Sequence, residues 1–393
     1  MSPLHKVILR KTISPRVHNG HPWVFNNELE AIDEALKPGD ICDVLDHRQR
    51  FIGRGYFNPK SQITVRILTR NERENIDAEF FYNKINAAWQ LRKQLGFEQN
   101  CRIVFSEADF LPGLIIDKFG DVIVLQILAL GMEVWKTAIV DALKKIVSPK
   151  CIYERNDVPV RELEGLTQLK GFLYGKSETK VTITENGLKV IVDIENGQKT
   201  GYFLDQKDNR LALESICKNA DVLDGFCYSG SFSINAAHFG AKSVTGFDAS
   251  EEAVALSTEN ATINNLEAVC KFSAGNSFDI LKQLDSEKKK FDVIILDPPA
   301  FTKSRSTLDR ALTGYKEINL RAMKLLKPGG FLLTFSCSHF LDTATFFDVI
   351  EDCAKDARRT IRQIQFLQQP KDHPVLWQVN ETNYLKGFLL QIL

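Results

Sequence analysis

The second half of the chain alternates short apolar runs with segments of helical length. The apolar or β-branched runs are ADVLDGF, SVTGFD, KFSAG, FDVIILDPP and GGFLLTFS. Strands that alternate with helices are typical of a doubly wound α/β fold with a mostly parallel sheet. The last two runs, VLWQV and KGFLLQIL, have no helix between them, so they predict a closing hairpin with an antiparallel final strand.

Two other patterns precede this region. Residues 1–72 alternate short β-rich runs with turns, which predicts a small β-barrel. Residues 73–194 open with helical periodicity and continue with strand runs such as CRIVFSE and DVIVLQIL, which predicts a central α+β domain. A chain of 393 residues is too long for one typical core. We therefore predict three domains, with the α/β domain over residues 195–393.

The composition excludes several classes of protein. Apolar residues make up 44% of the chain and charged residues 25%, as in ordinary soluble proteins, and the net charge is zero. The eight cysteines are scattered without a CxxC pair, so we predict neither a metal site nor a disulfide framework. The N-terminus lacks the apolar core of a signal peptide and no run could span a bilayer, so we expect a cytoplasmic protein without a membrane partner.

The segment from Val222 to Asp248 predicts a nucleotide-binding βαβ unit. A strand ends at Asp224, and Gly225 and Gly230 free the backbone of the turn so that a ligand can approach the next helix. Asp248 ends the second strand, where a carboxylate accepts hydrogen bonds from the two ribose hydroxyls. The turn has two glycines and begins with a carboxylate that would repel phosphate, so it favours S-adenosylmethionine over NAD. An ordinary βα turn is the alternative.

A second motif, Asp297-Pro298-Pro299-Ala300-Phe301, ends a buried strand. In a doubly wound sheet the carboxyl ends of the strands line the ligand crevice, and two prolines cannot continue a central strand. We predict that Asp297 holds a planar nitrogen heterocycle and that Pro298, Pro299 and Phe301 contact the substrate. The alternative is that the motif only stops the strand.

A third motif, Ser336-Cys337-Ser338-His339, follows the next strand. Carbon 5 of a pyrimidine is a weak nucleophile, but a thiolate that adds to carbon 6 makes carbon 5 enamine-like. We predict that Cys337 is this nucleophile and that Asp297 holds N3 of the base. A buried structural cysteine is the alternative, and His339 is predicted to lie at the surface or behind the site.

A polar segment with two glycines, Glu195 to Gln206, leads into the first strand of the α/β domain. Its residues Gln198, Thr200 and Tyr202 are placed to cover the amino-acid end of the ligand. A plain linker would contain fewer aromatic residues in mid-loop.

A family resemblance is carried by the runs QKTGYFLDQ, VLDGFCYSGSF and DPPAF, the SCS cysteine and the tail DHPVLW…NYLKG. These residues resemble the ribosomal RNA large-subunit methyltransferase I family, and GHPWVF resembles the opening of its PUA domain. The resemblance covers nearly the whole chain. It implies an S-adenosylmethionine-dependent enzyme that makes 5-methylcytidine in large-subunit ribosomal RNA. The implied domains are a PUA domain, a central α+β domain and a Rossmann-like catalytic domain.

The resemblance also implies roles for single residues, with Cys337 as the nucleophile and Asp297 at the base edge. The implied cofactor contacts are Asp224, Gly230, Asp248 and the region of Asn276. We also predict cofactor contacts for Gly225, Phe226 and Asp297. Many methyltransferases have Asp where this chain has Asn276, whose side-chain oxygen can still accept a hydrogen bond from the adenine amino group. The DPPAF loop lacks the second cysteine of another group of RNA cytosine methyltransferases, so the base that removes the C5 proton is not identified.

Three functions are ranked. An RNA cytosine-C5 methyltransferase comes first. In this function the N-terminal barrel binds RNA through its backbone and shape, and the target base is flipped into the crevice. An RNA methyltransferase that acts on guanine N7 or N2 comes second, because a nitrogen nucleophile would not need Cys337. A non-catalytic RNA-binding assembly factor comes third. Large-subunit ribosomal RNA is the expected partner, and a homodimer stays open because the sequence does not determine the oligomeric state.

Overall fold

A computed structural model describes residues 5–12, 15–302 and 304–393 of the chain. The described residues form two compact units. Unit 1 contains the residues up to Val181 together with Val192–Leu204 and Lys371–Thr382. Unit 2 contains Thr182–Ile191, Asp205–Pro370 and Asn383–Leu393. Both units are therefore built from discontinuous segments.

Unit 1 begins with a six-stranded sheet. Its strands are β1 (His5–Leu9), β2 (Trp23–Phe25), β3 (Leu29–Ile32), β4 (Ile41–Leu45), β5 (Phe51–Phe57) and β6 (Ile63–Thr69). The strand order is β2-β6-β5-β4-β1-β3, with β1 and β4 parallel and the other pairs antiparallel. Because side chains alternate between the faces of a strand, one face buries a core that includes Val7, Val24, Val44 and Val65.

A second sheet in unit 1 has helices packed against it. The strands are β7 (Asn100–Phe105), β8 (Leu114–Phe119), β9 (Val122–Ile127), β10 (Cys151–Asn156) and β11 (Leu169–Tyr174), and they lie in the order β11-β10-β9-β8-β7. The helices are α1 (Ala78–Gln94), α2 (Leu130–Val134), α3 (Lys136–Val147) and α4 (Val160–Leu163). Phe81 of α1 and Ile139 of α3 are buried in the same core as Ile116 of β8. This is the expected α+β arrangement.

Unit 2 contains a seven-stranded sheet. Its strands are β14 (Asp221–Asp224), β15 (Ser243–Asp248), β16 (Cys270–Ala274), β17 (Phe291–Leu296), β18 (Leu326–Ser336), β19 (Ile361–Gln368) and β20 (Lys386–Ile392). The order is β16-β15-β14-β17-β18-β20-β19; the pairs from β16 to β18 are parallel, and β20 runs antiparallel to both β18 and β19. The predicted parallel sheet with an antiparallel final strand is confirmed. Strands β12 (Lys180–Glu185) and β13 (Leu188–Asp193) form a separate two-stranded sheet.

Unit 2 has a short helix before the first strand of its seven-stranded sheet and further helices between successive strands. They are α5 (Lys207–Arg210), α6 (Ser231–His238), α7 (Glu251–Ile263), α8 (Ser277–Ser286), α9 (Leu308–Leu325) and α10 (Thr343–Ala357). Because β14, β15, β17 and β18 are parallel, their carboxyl ends lie at one edge of the sheet, where such folds bind ligands. No helix in the described part of the chain is long and apolar enough to cross a membrane.

The predicted terminal hairpin is wrong in one strand. The run from Val375 to Val379 is not a strand; it contains a turn in which the Val379 amide donates to the Leu376 carbonyl at 2.8 Å. The actual partner of β20 is β19, which lies at the edge of the sheet with mostly exposed side chains. Apolar and polar residues do not alternate regularly in β19, whereas the run from Val375 to Val379 is mostly apolar, so the sequence pattern favours the wrong run.

The predicted start of the α/β domain at residue 195 stays a prediction. The segments Val192–Leu204 and Lys371–Thr382 belong to unit 1. Their side chains explain this, because the Thr200 hydroxyl donates to Asp117 at 2.6 Å and Asp372 accepts from the Arg102 amide at 3.1 Å. Both segments therefore complete the polar core of unit 1.

Candidate active site

The turn between β14 and α6 is shaped by two glycines. The Gly225 amide donates to the Ile295 carbonyl at 2.9 Å, and the Gly225 carbonyl accepts from the Ser277 hydroxyl at 2.6 Å. Gly230 has a φ of +74°, and a Cβ there would lie 3.0 Å from Cβ of Ser257. This position therefore requires glycine both for its backbone conformation and for lack of space.

Asp224 ends β14 as a buried carboxyl group, and only one of its two oxygens accepts a hydrogen bond of normal geometry among the described residues. Its Oδ2 accepts a hydrogen bond from the Ser233 hydroxyl at 2.7 Å. Its Oδ1 is buried and has no partner of normal hydrogen-bond geometry among the described residues. Burial raises the pKa of Asp224 to about 6, although the Ser233 hydroxyl and the Phe226 amide oppose the rise, and the charge of Asp248 adds to it. A buried acceptor of this kind is suited to an ammonium or hydroxyl donor on a ligand.

Asp248, at the end of β15, is held by backbone amides. Its Oδ2 accepts from the Tyr228 amide and its Oδ1 from the Ser250 amide, each at 3.0 Å. Tyr228 has a positive φ of 45°, which turns its amide toward the carboxylate. A carboxylate has about four acceptor positions, so lone pairs remain for a ribose diol.

Asn276 serves as the N-cap of α8. Its Oδ1 accepts from the Phe278 amide at 2.9 Å, and the residue is exposed. The oxygen assigned to the adenine amino group is thus already a helix cap. The adenine contact stays a prediction, and it requires the second lone pair of that oxygen.

Asp297 follows β17 and is held by a residue that the sequence did not single out. The Gln206 side-chain amide donates from Nε2 to Oδ1 of Asp297 at 2.9 Å. Asn209 in turn donates from Nδ2 to Oε1 of Gln206 at 2.6 Å. Both amides are buried, so these two successive hydrogen bonds fix one oxygen of Asp297. The only sequence signal for Gln206 is its place at the end of the QKTGYFLDQ run.

Cys337 lies beside the Asp297 loop. Its Sγ is 3.8 Å from the carbonyl oxygen of Pro298, at hydrogen-bonding distance for a thiol. Cys337 is half-buried, whereas the other seven cysteines are buried. The two motifs predicted to meet at the sheet edge are thus adjacent.

Hydroxyl groups and aromatic rings line the inner side of this region. The Ser336 hydroxyl donates to the Tyr315 hydroxyl at 2.9 Å, and the Tyr315 and Ser338 hydroxyls are 3.0 Å apart. Burial raises the pKa of Tyr315 to about 12. The Phe301 ring packs against Tyr315, with centroids 4.6 Å apart, and against Phe278 at 5.8 Å. Part of the Phe301 ring is therefore covered by these two aromatic rings, and its predicted substrate contact stays a prediction.

The remaining predicted substrate and cofactor residues have different settings. Pro298 is buried and Pro299 is exposed at the DPPAF loop, and Phe226 is partly buried in the unit 2 core. Gln198, Thr200 and Tyr202 lie in unit 1, whereas the other site residues lie in unit 2. Tyr202 is buried, and the Thr200 hydroxyl is bound to Asp117. Their predicted cofactor contacts stay predictions.

Two family models match the chain. A PUA-like domain matches residues 7–70, and an S-adenosylmethionine-dependent methyltransferase matches residues 168–391. Among curated proteins, the chain is 40% identical over 392 residues to ribosomal RNA large subunit methyltransferase I of Alteromonas mediterranea, with 98% of each sequence covered. It is 42% identical over 380 residues to the protein of that name from Shewanella denitrificans, with 95% of each sequence covered.

Solved structures agree with this fold. A protein from Streptococcus mutans described as a SAM-dependent methyltransferase has a TM-score of 0.84 at 21% identity, with 98% of this chain and 99% of that chain covered. A methyltransferase in complex with SAH has a TM-score of 0.85 at the same identity and coverage. At this identity both support the fold alone. With the family models, they confirm the predicted fold class.

The turn residues fit S-adenosylmethionine, which the methyltransferase model implies. The open Oδ1 of Asp224 suits the ammonium of the amino-acid tail, and the two amide-held oxygens of Asp248 suit a ribose. A carboxylate at the start of the turn would repel the pyrophosphate of a dinucleotide. The cofactor prediction is therefore confirmed at the level of the family.

Proposed function

The chain belongs to the ribosomal RNA large subunit methyltransferase I family, and we propose that it methylates carbon 5 of a cytosine in large-subunit ribosomal RNA. The relatives carry that ribosomal RNA in their names, and the PUA-like domain over residues 7–70 is a module suited to an RNA partner. The bound cofactor supplies an electrophilic methyl group on a sulfonium. The residues of unit 2 then have to activate the base.

Cys337 is the proposed nucleophile. Its thiolate adds to carbon 6 of the cytosine, and the electron pair of the C5–C6 double bond moves to carbon 5. Carbon 5 then takes the methyl group from the bound sulfonium. Loss of the C5 proton to a base restores the double bond and expels the thiolate. The Asp297 carboxyl, with one of its oxygens fixed by Gln206, donates a proton to N3 as the electron pair shifts and takes it back when the double bond is restored.

One observation carries the proposal. Sγ of Cys337, the cysteine that is not fully buried, lies 3.8 Å from the Pro298 carbonyl, next to Asp297. A reactive thiol has to be reachable by its substrate, whereas structural cysteines are buried and inert. The accessible thiol thus stands beside the carboxylate that would hold the base.

The test identifies the labelled nucleoside. The protein is incubated with methyl-labelled S-adenosylmethionine and unmodified large-subunit ribosomal RNA, and the RNA is digested to nucleosides. We expect labelled 5-methylcytidine from the wild type and none from Cys337→Ala. Cys353→Ala is the matched control, because that thiol is fully buried in α10 and should leave the product unchanged.

Other products would decide between the alternatives. Label on guanine, or full activity of Cys337→Ala, would support methylation of a guanine nitrogen. No label in any RNA, with cofactor binding intact, would favour a binding factor. The oligomeric state is measured on the same material by light scattering, which tests for the homodimer.

A further inference from the structure

Lys386 is a buried lysine beside the nucleophile. It opens β20 and pairs with Ser336 of β18, the residue before Cys337. Only 4% of Lys386 is exposed. Its Nζ donates to the Ser338 carbonyl at 2.8 Å and to the Leu341 carbonyl at 2.6 Å. The ammonium therefore ties together both sides of the loop that follows Cys337.

The charge of this ammonium is not neutralised by a hydrogen-bonded partner. Both acceptors are neutral carbonyls, and in the described part of the chain no carboxylate forms an ion pair with Lys386. Burial lowers the pKa of Lys386 to about 8, while negative charge on Cys337 and Asp342 acts in the opposite direction. A buried charge without a counter-ion is costly, and such groups concentrate at functional sites.

Three other described ionisable side chains near Cys337, those of Tyr315, Asp297 and Asp342, are not cations. The Tyr315 hydroxyl is uncharged near pH 7 and would ionise to an anion, and burial raises its pKa to about 12. Asp297 is an acid, and Asp342 caps α10 by accepting from the Thr345 amide at 2.7 Å. The His339 ring is exposed and packs on Tyr384, with centroids 5.6 Å apart. Among the described residues, Lys386 is a buried cation whose ammonium binds the loop that follows Cys337.

We propose that Lys386 is a positioning residue that fixes the loop after Cys337 and whose ammonium favours the thiolate form of Cys337. The inference deepens the proposed covalent mechanism and rests on it for its biological meaning. Its physical content is independent of methyl transfer, since it concerns only the ionisation of one thiol. An opposite charge within about 4–6 Å shifts such an ionisation by about 1–3 pH units.

The test measures alkylation of Cys337 by iodoacetamide from pH 6 to 10, followed by peptide mass spectrometry. Thiolates react and thiols do not, so the pH of half-maximal rate reports ionisation. In the wild type we expect this midpoint below about 8.5, the value of an ordinary cysteine. Lys386→Met should raise it by about one unit or more. Lys386→Arg, which keeps the charge, should restore most of the lowering.

Lys118→Met is the matched control. Lys118 of unit 1 is also a buried lysine, and its Nζ donates to the carbonyls of Gln99 and Gly120. Its replacement should leave the midpoint of Cys337 unchanged. Circular dichroism and a melting curve confirm that each variant is folded.

An unchanged midpoint in folded Lys386→Met would overturn the proposal, and so would a wild-type midpoint at or above about 8.5. If Lys386→Met does not fold, the wild-type midpoint of Cys337 alkylation is the test: a midpoint below about 8.5 supports the proposal, and a higher one overturns it. Alkylation needs neither RNA nor cofactor, so the outcome is separate from the nucleoside experiment. Full activity of Cys337→Ala would remove the covalent mechanism, yet a shifted midpoint would still establish the pairing of Lys386 with Cys337.

Discussion

Gln206 holds Asp297: its Nε2 donates to Oδ1 of the carboxylate at 2.9 Å, although the two residues are 91 positions apart in the chain. Asn209 fixes the orientation of the Gln206 amide by donating to its oxygen. The carboxyl group that would bind the base is therefore held in a defined orientation. This relationship connects the QKTGYFLDQ run with the DPPAF loop.

Replacing Gln206 should slow catalysis. Gln206→Met keeps the length of the side chain but removes the donor to Asp297. A hydrogen bond to a charged group is worth about 1.5–3 kcal/mol, so we expect kcat to fall at least about tenfold. Single-turnover methylation with saturating cofactor measures this. The control is Gln365→Met on the exposed strand β19, which should keep wild-type kcat; equal rates for both variants would contradict the role.

Cofactor binding should depend on the ionisation of Asp224. Only the carboxylate form can pair with an ammonium, and burial raises the pKa of Asp224 to about 6. Affinity for S-adenosylhomocysteine should therefore be constant above about pH 6 and fall about tenfold per pH unit below it. Calorimetric titration from pH 5 to 8 measures this. Asp224→Asn should bind weakly without this slope, whereas Asp248→Asn should bind weakly and keep the slope.

Gly230 should tolerate substitution less well than a glycine with similar φ in open space. Gly230→Ala places a Cβ 3.0 Å from Cβ of Ser257 at a φ of +74°. Gly329→Ala has a φ of +83° but meets nothing within 4 Å. The strain common to both costs about 1–3 kcal/mol, and the crowding adds to it only at Gly230. Urea unfolding should show the larger loss for Gly230→Ala, and equal losses would show that the turn has room.

The polar core of unit 1 should depend on Asp117. Arg102 donates two hydrogen bonds to this fully buried carboxylate, each at 2.8 Å, and Thr200 donates a third. Asp117→Ala removes the carboxylate that pairs with the buried Arg102 guanidinium, which should lower the free energy of unfolding by about 3–5 kcal/mol. Asp141→Ala removes an exposed partner of Lys144 and should change stability by less than about 1 kcal/mol. Urea unfolding of both variants tests this, and a small loss for Asp117→Ala would contradict the assignment.

The sequence predicted the parts of the fold that local patterns determine. Buried strands such as β17 are continuous apolar runs, and their order follows from alternation with helices. The sequence does not predict the edge strand β19, because its apolar and polar residues are equal in number, do not alternate regularly, and are mostly exposed. The assignment of Val192–Leu204 to unit 1 depends on contacts such as Thr200 with Asp117, which no local pattern contains.

The same limit applies to the site. Asp297 and Cys337 could be predicted to meet because each follows one of two adjacent parallel strands, β17 and β18. Gln206 and Lys386 could not, because their partners lie 91 and 48 positions away and amide or lysine side chains carry no motif of their own. Long-range hydrogen bonds of this kind appear only when the chain is folded.

The covalent role of Cys337 can be tested most directly by trapping. RNA that carries 5-fluorocytidine at the target position has no C5 proton to lose, so the thiolate cannot be expelled after methyl transfer. With S-adenosylmethionine, the wild-type protein should form a protein–RNA species that survives denaturing electrophoresis, with the RNA attached to the peptide that contains Cys337. Cys337→Ala should form none, and Cys353→Ala should form as much as the wild type. Methylation of ordinary RNA without any trapped species, or trapping that persists in Cys337→Ala, would contradict the mechanism.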